Sequence, residues 1–310
     1  MSQTVLKVTS AALQKMKTHY ESYSSGKLPA GAVFAAKTAH CSITGYRSGK
    51  VLFQGQHAAE EAAKWQSETA AASPAKQKQP KAASLPLGFA SMSVIGSDEV
   101  GTGDYFGPIT VTAAFVKKEQ IAELQTLGVR DSKNLSDSQI IHLAKQIVRM
   151  IPYSLLIIHN EKYNQLKQKG MSQGKIKALL HNQALINLHQ KILPEHPDAV
   201  LIDQFAEKKT YYRYLQDQKQ IFQEKVFFST KGESVHLAVA AASIIARYAF
   251  VREMDKLSEA AGFAIPKGAG SQVDAAAARL IREKGETALW QYTKYHFANT
   301  EKAKKLVNKK

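Results

Sequence analysis

The stretch "VIGSDEVGTGDYFGP", residues 94–108, sets two adjacent acids, Asp98 and Glu99, between an apolar run typical of a strand and a glycine-rich turn. Successive side chains of a strand point to opposite faces, so a regular strand would send these two carboxylates apart. Both enter one site only if the backbone turns there, and Gly101 and Gly103 permit such a tight path. The stretch therefore predicts a carboxylate site where a strand ends.

The chain as a whole is strongly basic, because 42 Lys and Arg exceed 26 Asp and Glu and give a formal net charge of +16 in 310 residues. This excess favours a polyanionic partner, and the length favours one ordinary domain plus a smaller one. No run approaches the roughly 20 apolar residues of a membrane helix, and the start "MSQTVLKVTS" lacks a signal-peptide core. We expect a cytoplasmic monomer without a membrane partner. The single Cys41 excludes an internal disulfide and a thiolate metal cluster.

A segment rich in Ala, Lys, Gln and Pro divides the chain. Residues 69–86 read "TAAASPAKQKQPKAASLP" and show no apolar periodicity, which is typical of a linker. We therefore predict a small first domain at residues 1–69, a linker at 70–88 and a larger second domain at 89–310.

The first domain combines short strands with two helices. The runs "AGAVFAAK", "CSITGYR" and "KVLFQG" read as strands, and Ser48-Gly49 reads as a hairpin turn between the last two. The pattern predicts a small α+β domain with its helices on one face of the sheet. Residues 25–59 contain no Asp or Glu but include Lys37 and Lys50, which suits a surface that lies against phosphates. A solvated lysine-bearing sheet is the alternative.

In the second domain strands come first and then alternate with helices, which predicts a mixed α/β sheet covered on both faces. The strand "DAVLID" ends at Asp203, and a long alanine-rich helix after "KVFFST" is expected to begin at Glu233. Ligands gather where the strands of such a sheet end, so Asp98, Asp203 and Glu233 can converge on one point. Glu99 joins them only through the turn described above.

Four clustered carboxylates would repel one another and raise their own pKa values unless a cation lay among them. Oxygen ligands suit Mg²⁺ or Mn²⁺, and two such ions about 4 Å apart would clamp the attacking water and leaving oxygen of a phosphodiester. Phosphodiester cleavage thus explains both the basic surface and the acidic centre. Taken alone, Glu233 at a helix start is better explained as a cap. A non-catalytic nucleic-acid-binding protein is a second hypothesis, and glycoside hydrolysis by paired acids leaves the net charge unexplained.

Three motifs together resemble one known family. "DEVGTGDYFGPITVTAAFV", "GVRDSKNLS" and "KGESVHLAVAAASIIARYAFVRE" are similar to the type 2 ribonuclease H superfamily, and the preceding domain together with Glu233 resembles ribonuclease HIII. The resemblance implies a ribonuclease H-like catalytic domain with a mixed sheet, preceded by a substrate-binding, TATA-binding-protein-like domain. It also implies endonucleolytic hydrolysis of the RNA strand of RNA/DNA hybrids with Mg²⁺ or Mn²⁺, leaving 3′-hydroxyl and 5′-phosphate ends.

The same resemblance implies roles for particular residues. It carries the catalytic and metal-binding roles onto four acids, with the first contacting both metals: Asp98, Glu99, Asp203 and Glu233. It also implies that the backbone of Gly101, Thr102 and Gly103 contacts ribose 2′-hydroxyls. Asp131, Ser132 and Lys133 are implied to lie beside the substrate backbone, with Lys133 at a phosphate.

The sequence departs from ribonuclease HII at three points. Thr102 stands where that family has a basic residue, Glu233 stands where it has aspartate, and "PKGAGSQVD" lacks its tyrosine and histidine. These departures favour substrates with a run of ribonucleotides. Cleavage at single embedded ribonucleotides, as in ribonuclease HII, remains the alternative.

Weaker signals flank these motifs. Tyr46, Arg47 and Lys50 adjoin the hairpin turn and are candidate substrate contacts. With a turn at Ser48-Gly49, alternation puts Arg47 and Lys50 on one face and Tyr46 on the other. His236 lies one helical turn beyond Glu233 and is either a group that assists the site acids or product release, or a packed helix residue. His181 lies on an apolar helix and is interpreted as structural.

Overall fold

The computed structural model describes residues 3–24, 28–29, 31–65, 85–130 and 132–308. The chain divides into two compact units, Met1–Lys81 and Ala82–Lys310. Most of the predicted linker at 70–88 lies outside the described residues, so the three predicted domain limits stay predictions.

The first unit is a four-stranded antiparallel sheet with helices on one face. Its elements are β1 (Gln3–Lys7), α1 (Ser10–His19), β2 (Ala32–Lys37), β3 (Cys41–Tyr46), β4 (Lys50–Gly55) and α2 (Ala58–Ala63), and the strand order is β1-β4-β3-β2. The Thr9 hydroxyl accepts a hydrogen bond from the Ala12 amide and so caps α1. Met16 of α1 and Ala62 of α2 are buried with Ile43 of β3, which confirms the predicted α+β arrangement.

The hairpin between β3 and β4 has three loop residues, 47–49, where the sequence predicted two. Gly49, at φ +77°, donates its N–H to the Tyr46 carbonyl at 2.9 Å. Gly45 pairs with Val51, so Tyr46 lies opposite Lys50. Both side chains are therefore on the face away from the helices, and the prediction that they lie on opposite faces was wrong. One additional loop residue shifts the register and reverses which side chains share a face.

The second unit contains a five-stranded mixed sheet in the order β7-β6-β5-β8-β9. The elements in chain order are β5 (Val94–Val100), β6 (Ile109–Val116), α3 (Ile121–Leu127), α4 (Asp137–Met150), β7 (Tyr153–Ile158), α5 (Asn160–Gln168), α6 (Gln173–Ile192), β8 (Ala199–Asp203), α7 (Lys208–Leu215), β9 (Val226–Ser229), α8 (Leu237–Ala261), α9 (Ser271–Lys284), α10 (Leu289–Tyr292) and α11 (Ala298–Asn308). Strands β5, β8 and β9 run parallel, while β6 is antiparallel to both β5 and β7. Within the described parts of the chain, no helix is long and apolar enough to span a lipid bilayer.

Helix α8 covers one face of this sheet and α6 covers the other, as the sequence predicted. On β5, Gly96 faces α8, because a Cβ at this position would lie 2.2 Å from the backbone of Ala238. Its neighbour Ser97 faces α6 and bonds to His181 at 2.6 Å. The absence of a side chain at Gly96 lets α8 come this close to the strand.

Strand β5 stays regular to its end. Glu99 pairs with Val111 and the next residue continues the same register. The chain turns only at Gly101, where φ is +93° and a Cβ would lie 2.2 Å from the Pro108 carbonyl oxygen. This position requires glycine. Gly103, by contrast, has open space around its Cβ position.

The alanine-rich helix α8 begins four residues later than the sequence predicted. A 3₁₀ turn, Gly232–Ser234, precedes it, and His236 is its N-cap. His236 Nδ1 accepts from the Ala238 amide at 3.0 Å, so its Nε2 carries the proton donated to the Met92 carbonyl. Glu233 thus lies before the helix, and His236 has a capping role.

Candidate active site

Asp98 and Asp203 lie side by side on two parallel strands, with Asp203 the last residue of β8 and Asp98 two residues before the end of β5. Ser97 of β5 pairs with Ile202 of β8. Continued by one residue, this register sets Asp98 beside Asp203 on the same face of the sheet. That face is covered by α8, and Asp98 is buried beneath it with 8% of its surface exposed. The structure therefore brings together the two acids that the strand ends predicted.

Glu233 reaches the same face from the 3₁₀ turn. The Gly232 amide donates to Asp203 Oδ1 at 2.7 Å, which ties the turn to the end of β8. Glu233 Oε1 lies 3.1 Å from Lys133 Nζ, and the side chains are 5% and 74% exposed, respectively. Lys133 therefore places an ammonium group at the mouth of the acidic site.

Glu99 lies on the opposite face of β5, against α6. Its two carboxylate oxygens contact Lys177 Nζ at 2.7 Å and His181 Nε2 at 2.8 Å. The turn needed to bring Glu99 beside Asp98 does not occur between them, because the strand continues to Val100. Three of the four predicted acids therefore share one face, and the fourth is held by two basic groups on the other.

The interpretation of His181 as a structural residue stays a prediction, and its ring contacts a predicted site acid directly. It bridges the Ser97 hydroxyl and the Glu99 carboxylate and is completely buried. Lys177 lies one helical turn earlier on α6, so both side chains leave the helix on the same side. The four-residue spacing of Lys177 and His181 was the available sequence signal.

Burial and like charges make Asp98 a weak acid. Burial contributes most, and the charges of Glu99 and Asp203 add to it, so the pKa of Asp98 rises to about 7 although the Ser243 hydroxyl bonds to the carboxylate. Burial also raises the pKa of Asp203. Burial acts in the same direction on Glu99, but the bonds and charges of His181 and Lys177 outweigh it and lower the pKa.

The donor set fits a hard divalent cation. Asp98, Asp203 and Glu233 offer only carboxylate oxygens, the ligands preferred by Mg²⁺ and Mn²⁺. Burial, with a smaller contribution from neighbouring carboxylates, raises the pKa values of the two aspartates, and a bound cation would offset both effects. Over the described ranges, however, no three His, Cys, Asp or Glu side chains already surround a common point.

The predicted substrate segments are held by further polar contacts. In the first, the Thr102 carbonyl accepts from Gln173 Nε2 at 3.1 Å. In the second, Asp131 lies outside the described residues, and Ser132 is buried with its hydroxyl 2.8 Å from that of Ser243. The serine thus faces α8 and connects to the partner of Asp98, while Lys133 is the exposed member of the segment.

The hairpin candidates of the first unit occupy its open sheet face. Tyr46 and Lys50 face each other across β3 and β4, and Arg47 is in the loop between them. Lys7 pairs with Lys50, and directly opposite residues of antiparallel strands share a face. Lys37 pairs with Ser42 near the β2 edge, on the same face as Tyr46. The open face is therefore basic.

Known proteins resemble both units. The family model described as ribonuclease HII matches residues 95–300, and one described as a domain of unknown function (DUF3378) matches residues 3–79. The chain is 59% identical over 314 aligned positions to the ribonuclease HIII of Bacillus velezensis, covering 100% of this chain and 99% of that protein. The chain belongs to the ribonuclease HIII family. The ribonuclease HIII of Bacillus subtilis strain 168 is 54% identical over 100% of this chain and 99% of its own.

Solved structures agree with this membership in the ribonuclease HIII family. Bst-RNase HIII in complex with Mn²⁺ is 48% identical, and each chain is covered to 100% with a TM-score of 0.71. The ribonuclease H2 of Pyrococcus horikoshii covers 71% of this chain with a TM-score of 0.58 at 22% identity, a likeness of fold alone. The predicted ribonuclease H-like fold, preceded by a small α+β domain, is thereby confirmed.

Proposed function

We propose that this ribonuclease HIII family member is a metal-dependent endoribonuclease that hydrolyses the RNA strand of RNA/DNA hybrids, leaving 3′-hydroxyl and 5′-phosphate ends. The observation that carries the proposal is the placement of Asp98 beside Asp203, with the turn that contains Glu233 bonded through the Gly232 amide to Asp203. A concentration of buried negative charge in a chain of net charge +16 is unfavourable for the fold and useful for binding cations.

Asp98, Asp203 and Glu233 would hold Mg²⁺ or Mn²⁺, and Glu99 would add its negative charge to the site from the opposite face of β5. When bound there, the divalent metal supplies Lewis-acid activation of a water molecule and neutralises charge at the scissile phosphate. Lys133 is exposed enough to exchange the Glu233 carboxylate for a substrate phosphate. Its ammonium would then bind the nucleic-acid backbone beside the reacting bond.

Recognition of ribose is assigned to the backbone of Gly101, Thr102 and Gly103. The open space beside Gly103 leaves room for a sugar to approach the main chain. Ribose differs from deoxyribose in its 2′-hydroxyl, which can donate to and accept from backbone groups. Because Thr102 carries no positive charge, we expect the enzyme to favour a run of ribonucleotides over a single embedded one.

We propose that the first unit binds the hybrid through the open face of its sheet. Lys7, Lys37 and Lys50 supply positive charge there, and Tyr46 supplies a hydrogen-bonding aromatic ring. The acid-free stretch 25–59 removes repulsion between this surface and phosphates. This assigns substrate binding to residues 1–69 and catalysis to 89–310, joined by a linker at 70–88. The cytoplasmic location and the monomeric state stay predictions.

Cleavage mapping on two end-labelled substrates tests the proposal. One is a continuous RNA/DNA hybrid, and the other is a DNA duplex with one embedded ribonucleotide. With Mg²⁺ or Mn²⁺ we expect 3′-hydroxyl fragments from the hybrid, little cleavage of the second substrate and none of either in EDTA. Intact hybrid in the presence of metal would identify a binding protein instead, and preferential cutting at the single ribonucleotide would assign ribonuclease HII-like specificity.

A further inference from the structure

Lys294 is a completely buried lysine whose side-chain nitrogen donates hydrogen bonds to backbone carbonyls of one loop. Lysine is rarely buried in full unless its charge is matched by partners. Lys294 Nζ donates to the Asp104 carbonyl at 2.8 Å and to the Gly107 carbonyl at 2.6 Å. Both acceptors belong to the loop that joins β5 to β6, the loop that contains Gly101–Gly103.

Main-chain contacts add to this attachment. The Lys294 amide donates to the Tyr105 carbonyl at 2.7 Å, and Phe106 forms an isolated bridge with Thr293. The Gly107 amide in turn donates to the Tyr292 carbonyl at 3.1 Å. The segment between α10 and α11 therefore binds the inner side of the loop through both its backbone and one side chain.

A second group holds the loop from α6. Gln173 Nε2 donates to the Thr102 carbonyl at 3.1 Å and to the Tyr163 hydroxyl at 3.1 Å. Thr102 is the middle residue of the turn, so this bond acts directly on the turn backbone. The loop is thus held from two directions, by Lys294 and by Gln173.

We propose that Lys294 and Gln173 are positioning residues for ribose recognition, acting through the loop carbonyls to hold the Gly101–Gly103 backbone in its recognition geometry. The inference rests on the proposed function, which assigns ribose contact to that turn. Backbone hydrogen bonds depend steeply on distance and angle, so a loosened turn loses its bond to a 2′-hydroxyl before the fold is lost. Misplacement of a binding group by about 1 Å can cost about a hundredfold in rate.

The test is a double-mutant cycle in the full-length protein that combines the substitution of each positioning residue with the removal of a substrate 2′-hydroxyl. Single-turnover rates are measured on a hybrid and on hybrids with one ribose at a time replaced by deoxyribose near the cut. The variants are Lys294→Met, which keeps the chain length without the ammonium, and Gln173→Leu. Lys256→Met removes an exposed lysine, paired to Glu253, and is the matched control.

We expect the wild-type protein and Lys256→Met to show the same rate penalty for the sensitive deoxyribose. In Lys294→Met and Gln173→Leu the all-ribose rate should fall by about tenfold or more, and the deoxyribose penalty should shrink by a similar factor. A full penalty in variants that melt as cooperatively as wild type would overturn the inference. If Lys294→Met does not fold, Gln173→Leu decides the matter by the same criterion. Absence of any penalty in the wild-type protein would instead refute ribose recognition by the turn.

Discussion

Replacing Asp98 with asparagine removes one negative charge from a buried cluster while keeping nearly the same shape. In the metal-free protein the pKa of this carboxyl is raised from its ordinary 3.8 to about 7, first by burial and then by the charges of Glu99 and Asp203. A tenfold change in acid strength corresponds to about 1.4 kcal/mol, so ionising Asp98 in the fold costs at most about 4 kcal/mol. The asparagine side chain avoids that cost.

The sign of the pH dependence follows from where the proton is bound. Between pH 4 and 7 the folded protein retains a proton on Asp98 that the unfolded chain has released, so the stability of the wild-type protein falls as pH rises through this window. The asparagine that replaces it does not titrate. We therefore expect Asp98→Asn to be more stable than wild type at pH 8 in EDTA, by up to about 4 kcal/mol, and to match it near pH 4.

Urea unfolding at pH 4.5 and pH 8, in EDTA and then with Mn²⁺, measures these differences. A cation at one hundred times its dissociation constant should stabilise the wild-type protein by about 2.7 kcal/mol and the variant much less. Asp255→Asn, which loses only an exposed 3.5 Å ion pair to Arg252, is the control and should change stability by less than about 1 kcal/mol at either pH. A variant that is less stable than wild type at pH 8 would refute the argument that burial and neighbouring charges make ionised Asp98 unfavourable in the fold.

Three further changes test other contacts. Gly96→Ala should cost about 3 kcal/mol of unfolding free energy in urea, because its Cβ would lie 2.2 Å from the α8 backbone, and an unchanged midpoint would contradict that packing. His181→Ala should raise the Mn²⁺ concentration needed for half-maximal cleavage about tenfold or more, since Glu99 loses a partner; an unchanged metal titration would count against this role. Lys50→Glu should weaken hybrid binding and flatten its salt dependence, whereas Lys17→Glu on the exposed side of α1 should do neither; equal effects would reject the sheet face as the binding surface.

The position of two site acids was predictable from the sequence. The apolar run before Asp203 identifies the end of β8, whereas β5 continues two residues beyond Asp98. The carboxyl ends of parallel strands meet at one edge of a sheet, so both acids were expected near that edge. The alternation of side chains also predicts that Glu99 of a regular strand points away from Asp98, and the structure places Glu99 on the opposite face of β5. These conclusions depend only on the alternation of side chains along a strand, which the local backbone geometry determines.

Contacts made by distant segments were not predictable in the same way. Glu233 could not be separated from α8, because the alanine-rich run continues without a break and His236 is an unusual N-cap. The bond from His181 to Glu99 exists only because α6 crosses β5 at this point. At the first-unit hairpin, a difference of one loop residue changed the partner of Tyr46, and loop length is poorly defined by Arg47, Ser48 and Gly49 alone.

Binding and cleavage of one RNA/DNA hybrid by Asp98→Asn test most directly whether this strand end is where the RNA is cut. Affinity is measured in EDTA and fragment formation is measured with Mn²⁺, on the same labelled hybrid and beside wild type and Asp255→Asn. We expect the hybrid affinity of all three proteins to agree within about threefold, while Asp98→Asn loses cleavage by about a thousandfold or more. Cleavage by Asp98→Asn near the wild-type rate would contradict the assignment of catalysis to the neighbouring acids of β5 and β8.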